Sequence, residues 1–284
     1  MSNVFKKVCA IHDLSCYGRC ALTVIIPTMS RLGCQVVPIP TALLSTHTGG
    51  FSDMHFTDLT DQMKEICDHL KSINIKFDAL FTGFLGSARQ IETVEYIINS
   101  FADKNTLFLL DPVMGDDGIL YSTYTDKMVD GIRQLSLKAD ILTPNLTEAC
   151  LLAEEKYPDL SNISVNEAES ISLKIMKKLS EKYQKADIVI TGVICKNKIF
   201  SVCKEKQNEP VILENELQPI SFPGTGDLFA SLLISYIMKG DSFMESTKKA
   251  ADMTTEAVKL SQSTDEDVRN GILLEKFLCE TNFN

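Results

Sequence analysis

Apolar, β-rich stretches alternate along this chain with amphipathic stretches of helical period, and that alternation constrains the fold more than any other feature. The strand-like stretches fall at residues 7–11, 35–40, 77–82, 106–110, 139–142 and 187–191. Between them, helical spacing of apolar residues covers 19–32, 59–72, 88–101, 127–135 and 168–182. Several of the strands are apolar at nearly every position. A strand wetted on one face alternates in polarity, whereas one that is apolar throughout must be covered on both faces. The expected class is therefore α/β: a doubly wound, mostly parallel central sheet flanked by helices on both faces, in three layers. After Thr191 the pattern changes. Residues 198–204 and 210–217 read as a short antiparallel excursion, a loop follows, and a helix then runs to Gly240. Asp241 or Ser242 can cap another helix ending near Leu260. With 284 residues and no repeat, low-complexity tract or linker, one domain spanning 1–284 is the simpler expectation.

Charge and apolar run length remove several classes of function. The 28 basic residues against 38 acidic ones leave a formal charge of −10, so phosphate neutralisation along a nucleic acid is not expected. The longest apolar runs, such as Leu107 to Leu110 and Ala149 to Ala153, fall far short of the ~20 residues that span a bilayer, and no membrane role is expected. No apolar core of a secretory signal precedes Asp13, and nine cysteines without a CxxC pair suit a reducing compartment. The expected location is the cytoplasm. Cys9, His12, Cys16 and Cys20 have a loosely metal-like spacing, but Cys9 lies in a strand-like run and the tight knuckles of structural zinc are missing. The sequons at Asn145 and Asn162 are chance matches in a chain that shows no route to secretion.

Open α/β sheets bind ligands beyond the carboxyl ends of their strands, so the polar residues just after each apolar run are the ones to inspect. In chain order these are His12-Asp13, the segment from Ser45 to Gly50, Gly83-Phe84, the segment from Asp111 to Asp116, Thr143-Pro144-Asn145 with Glu148, and Thr191-Gly192. The strongest signal is Pro223-Gly224-Thr225-Gly226-Asp227, which opens a helix apolar on nearly all sides. Glycines before a helix let bare backbone N–H groups approach an anion, and the helix dipole favours negative charge there. Asp227 in that position reads equally as a first-turn cap or as a general base. There is no P-loop motif, and Phe229 stands where a dinucleotide fingerprint needs its third glycine.

These motifs together, in order over nearly the whole chain, resemble the ribokinase-like superfamily, in particular its vitamin-kinase branch of pyridoxal kinases and hydroxymethylpyrimidine kinases. The resemblance implies an anion hole at Gly224, Thr225 and Gly226 with Asp227 as the catalytic base. It implies that Asp111, Asp116, Asn145 and Glu148 handle ATP and Mg²⁺, with Asp111, Asp116 and Glu148 as the metal-facing carboxylates. Thr191, Gly192 and Thr225 would meet the nucleotide phosphates, and K⁺ is a further cation known in such enzymes. Phosphoryl transfer needs positioning and charge neutralisation more than covalent chemistry, so helix amides, a carboxylate-held cation and one base are suitable parts. The alternative for Asp111, Asp116 and Glu148 is a purely structural one, as caps or turn residues.

The acceptor alcohol follows from smaller resemblances. Ser45-Thr46-His47-Thr48-Gly49 is similar to the S-N-H-T-G of pyridoxal kinases, as is Thr82-Gly83-Phe84-Leu85-Gly86-Ser87-Ala88 to their S-G-Y-L-G-S-A, with Phe84 in place of Tyr. Phe84, His47 and Thr48 would then face a flat pyridine ring. Asp13 stands where many pyridoxal kinases carry Ser; an acidic side chain there suits a ring N–H or an exocyclic ammonium, favouring pyridoxamine or pyridoxine. The expected activity is phosphorylation of the 5′-hydroxymethyl of a B6 vitamer. The alternatives are a hydroxymethylpyrimidine kinase and a catalytically silent binding module on the same scaffold. Resemblance to pyridoxal kinases also implies a homodimer.

Overall fold

Strand β1 (Lys6–Tyr17) is the organising element of the first part of the computed structural model, which describes residues 5–283. In chain order there follow α1 (Leu22–Arg31), β2 (Cys34–Thr46), β3 (Phe56–Asp58), α2 (Thr60–Ser72), β4 (Ala79–Thr82) and α3 (Ala88–Phe101). The chain then forms β5 (Leu107–Leu110), β6 (Gly115–Asp116), β7 (Ile119–Leu120), α4 (Asp126–Ser136), β8 (Ile141–Leu142), α5 (Leu146–Ala153), α6 (Val165–Lys182), β9 (Asp187–Cys195), β10 (Lys198–Lys204) and β11 (Val211–Asn215). Helices α7 (Thr225–Lys239), α8 (Phe243–Gln262) and α9 (Leu274–Glu280) complete it. Two compact units result: one takes the residues through Leu107 together with those from Gln218 on, the other Phe108–Leu217.

In the first unit the strand order is β4-β1-β2-β3. β1 pairs in parallel with β2 (Val8 opposite Val36) and with β4 (Val8 opposite Ala79), and β3 closes the edge antiparallel to β2. Val8, Cys9, Ala10 and Ile11 are each fully buried, as an all-apolar strand requires. The apolar helix expected after Gly226 is α7, buried from Leu228 through Tyr236, and it ends at Gly240 in a left-handed cap. Ser242 and Glu245 form a reciprocal capping box that starts α8. Each fully buried Leu or Ile of this layer contributes roughly 1.5–3 kcal/mol.

In the second unit the order is β5-β8-β9-β10-β11, with β5, β8 and β9 parallel and β10 and β11 antiparallel, the excursion foreseen from the sequence. The hairpin β6–β7 stands apart from that sheet. All nine cysteines are free thiols, and among the described residues no helix is long and apolar enough to cross a membrane.

Candidate active site

Gly224 is the N-cap of α7 at φ 84°, a left-handed conformation, and a Cβ there would lie 2.3 Å from the Arg19 carbonyl oxygen. Only glycine fits. Gly226 is different: it is exposed, and a Cβ built on it meets nothing within 4 Å. The first intrahelical bond runs from Leu228 N–H to Gly224 C=O, so the Thr225, Gly226 and Asp227 amides precede the ladder at the positive end of the helix dipole. The Thr225 hydroxyl donates to the Phe222 carbonyl at 3.2 Å.

Asp227 does not cap its own helix. Its Oδ2 accepts the Ala21 N–H at 2.8 Å and the Cys20 thiol at 3.5 Å, at the start of α1. Burial holds this carboxyl above the usual carboxylate range, opposed by the Ala21 amide, the Cys20 thiol and, least, the nearby His47 ring. A carboxylate moved toward neutrality and fixed in the first helical turn suits proton acceptance. Among the described residues no hydrogen bond falls on Oδ1.

Asp13 lies at a register shift of β1, between His12 and Leu14, and is buried. Its carboxyl is pushed up to about 7, first by burial and then by the charge of Asp227, while a 3.1 Å hydrogen bond from Ser15 Oγ works the other way. His12 is buried edge-on against Phe81, with ring centroids 4.3 Å apart, and burial lowers its pKa to about 3, so it is neutral. Among the described residues no three His, Cys, Asp or Glu side chains converge as a metal cage, and of Cys9, His12, Cys16 and Cys20 the first two are buried while Cys16 is exposed.

His47 has both ring nitrogens engaged. Nδ1 accepts the Gly49 N–H at 3.1 Å, which leaves the proton on Nε2, and that nitrogen meets the Arg269 carbonyl at 2.6 Å. Phe51 packs edge-on against His47, ring centroids 5.1 Å apart, and the Arg269 guanidinium lies 5.2 Å from the Phe51 centroid. Thr48 is exposed beside this cluster. Phe84 is half-buried, its carbonyl accepting the Thr41 hydroxyl at 3.1 Å.

In the second unit Asn145 caps α5. Its Oδ1 accepts the Glu148 N–H at 2.9 Å, Glu148 Oε2 accepts the Asn145 N–H at 2.8 Å, and Asn145 Nδ2 donates to the Gly115 carbonyl at 2.8 Å. Glu148 Oε1 accepts the Met114 N–H at 3.1 Å, so one carboxylate ties the Asp111-to-Asp116 loop to α5. Burial, with the Asp111 charge next, holds Glu148 well above its ordinary range. Asp111 is buried and Asp116 exposed, accepting the Asp117 N–H at 3.0 Å. Thr191 bridges Asn145 by backbone pairing, and Gly192, at φ 63°, has open space where a Cβ would stand. A buried Glu148 raised by burial and by the charge of the buried Asp111 fits a divalent cation, which would relieve that repulsion. Mg²⁺ commonly takes only one or two protein carboxylates and completes its shell with phosphate and water, so the lack of a three-ligand cage is no obstacle.

No sequence signal marks Cys20, Ala21 or Ser15 as neighbours of these acids, or Arg269 as the partner of His47. A thiol, a serine hydroxyl and two backbone groups carry no motif, and only the fold brings residue 20 to residue 227.

A glycine-opened helix with a fixed acid in its first turn, in a chain whose strand-end loops carry buried carboxylates and amides, is the equipment of a phosphoryl-transferring α/β enzyme. The chain belongs to the Phosphomethylpyrimidine kinase family, whose profile matches residues 22–271. It is similar to a Bacteroides thetaiotaomicron protein classed with the phosphomethylpyrimidine kinases and crystallised with pyridoxal: 38% identity, covering 97% of this chain and 95% of that one, TM-score 0.88. Pyridoxal kinase from Lactobacillus plantarum is 26% identical over 97% of this chain and 98% of its own, TM-score 0.84. Pyridoxal kinase from Arabidopsis thaliana is 30% identical over 254 residues, 86% of this chain and 77% of its own length. The ribokinase-like α/β/α class expected from the sequence is thus the fold of this chain.

Proposed function

We infer that this chain is a kinase that transfers the γ-phosphoryl group of ATP to the 5′-hydroxymethyl of a B6 vitamer. The observation that carries the reading is Asp227, a carboxylate fixed through one oxygen in the first turn of a helix whose leading amides lie outside the intrahelical ladder. Asp227 takes the proton of the attacking alcohol, and the amides at Gly224, Thr225 and Gly226 face the charge on the migrating group. Asp13 and Phe84 supply the acceptor's polar and apolar contacts, and Thr48 an exposed hydroxyl. His47, with both nitrogens engaged, orders its loop. On the nucleotide side, Asp111 and Glu148 would hold Mg²⁺ with Asp116 nearby in sequence, and Asn145, Thr191 and Gly192 would line the phosphate path. Mg²⁺ neutralises phosphate charge during transfer. K⁺ as a further cation, a single working domain, a homodimer and a cytoplasmic location belong to the same proposal, supported by the resemblance to pyridoxal kinases.

A second reading, phosphorylation of a hydroxymethylpyrimidine, draws on the family match at residues 22–271. Initial rates of the purified protein with Mg-ATP and pyridoxal, pyridoxamine, pyridoxine and hydroxymethylpyrimidine decide between them. The B6 reading expects the highest kcat/KM with a pyridine; a preference of more than about tenfold, or 1.4 kcal/mol, for the pyrimidine overturns it. No turnover with any of the four overturns both.

A further inference from the structure

Two donors converge on one oxygen of Asp227, and both come from the short segment that opens α1. The Ala21 N–H lies 2.8 Å from Oδ2 and the Cys20 Sγ 3.5 Å from the same atom. Ala21 adopts φ 49° and ψ −128°, a conformation that L residues rarely accept, and it is the N-cap of a helix with no side-chain cap of its own. The segment is braced from behind: Cys20 N–H donates to Thr23 Oγ1 at 3.0 Å, and Thr23 Oγ1 donates back to the Cys20 carbonyl at 2.7 Å. Such bracing holds the thiol and the strained amide in one orientation toward the acid.

We infer that Cys20 is a positioning residue for phosphoryl transfer: its thiol, together with the Ala21 amide, fixes Oδ2 of Asp227 and leaves Oδ1 as the atom that receives the alcohol proton. The inference deepens the reading of Asp227 as base and rests on it. Burial and the neighbouring Asp227 charge keep the Cys20 thiol well above its ordinary titration range, so it remains a protonated donor rather than a nucleophile. A hydrogen bond to the ionised form of an acid favours that form, so the thiol keeps Asp227 available as a base at lower pH than burial alone would allow. The other titratable groups facing Asp227 are Asp13 on β1 and His47 just beyond β2.

The test is the pH profile of kcat and kcat/KM for Cys20→Ala and Cys20→Ser beside the unaltered enzyme. For Cys20→Ala, kcat falls roughly fivefold, as for one lost hydrogen bond of ordinary strength. KM for ATP stays within about twofold, since the nucleotide contacts are untouched. The acid limb of the profile moves to higher pH. Cys20→Ser, which keeps a donor, restores kcat and returns the acid limb to or below its original position. Wild-type kcat with an unmoved limb in Cys20→Ala overturns the inference. If the alanine variant does not fold, the serine variant decides: a limb at or below the original position supports the inference, and a limb moved upward overturns it. Asp227→Asn separates the two levels. Full turnover there removes the base itself, whereas lost turnover there with an unmoved limb in Cys20→Ala removes only the part assigned to Cys20.

Discussion

Glu148 and Asp227 are acids near the start of helices, one in each compact unit, and they are used in opposite ways. Glu148 spends both oxygens on backbone amides, Oε1 on Met114 and Oε2 on Asn145. Asp227 takes both its donors on Oδ2. An acid with a main-chain amide on each oxygen frames the loop it ties and has only its remaining lone pairs to offer a cation, whereas one held through a single oxygen keeps the other whole for proton transfer. The difference teaches that a motif acid is sorted by which of its lone pairs the fold has already claimed, not by its burial, since burial raises the proton affinity of both.

Replacing Asp227 by Asn gives the sharpest test of that contrast. Turnover should fall by about 10²–10⁴, the usual worth of a general base, while the melting temperature changes little; full turnover would erase the distinction. Glu148→Ala should do the reverse first, costing roughly 2–4 kcal/mol in denaturant unfolding through a lost capping box and an orphaned Met114 amide. A Glu148→Ala variant as stable as the parent would show that the frame is not carried by this side chain.

Asp13 sharpens the comparison within the first unit. Its carboxyl is raised to about 7 in the fold by burial and by Asp227, against the ordinary 3.8. A carboxyl with raised folded pKa binds more protons folded than unfolded, so it weakens the fold as pH climbs from about 4 to about 7 and by a constant amount above that. Asp13→Asn should therefore gain little at pH 4 and about 1–3 kcal/mol at pH 8, read from thermal melts at both. An equal gain at the two pH values would remove the assigned cause. The smallest effect is expected from Phe84→Tyr, which adds the hydroxyl found in similar kinases: KM for pyridoxal should fall about twofold to fivefold, the worth of one hydrogen bond. A KM that rises shows that the ring has no partner for that hydroxyl.

The alternation of all-apolar strands and amphipathic helices made the sheet legible, and the Pro223-to-Asp227 segment located α7 and its acid. Strand lengths were less legible: β1 continues past Ile11 to Tyr17 because its polar tail pairs with β2 beyond a bulge, which no period-2 pattern signals. Helix α5 escaped because it is only eight residues long and buried on nearly every side, Thr147 and Glu148 included, so it has no amphipathic stripe; its capping box, Asn145 with Glu148, was the available sign. β3 and the β6–β7 hairpin are too short to carry a pattern. At the site, the residue types at strand ends were visible, but which oxygen of Asp227 is held, and that His47 has no nitrogen to spare, depend on long-range geometry alone.

The two glycines that open α7 leave different marks on an alanine scan. At Gly224 the chain itself forbids a methyl group, because the Arg19 carbonyl already occupies the place. At Gly226 the protein has no such objection, so on the proposed function Gly226→Ala should keep its stability and weaken its hold on the nucleotide, a loss that a ligand feels and the fold does not.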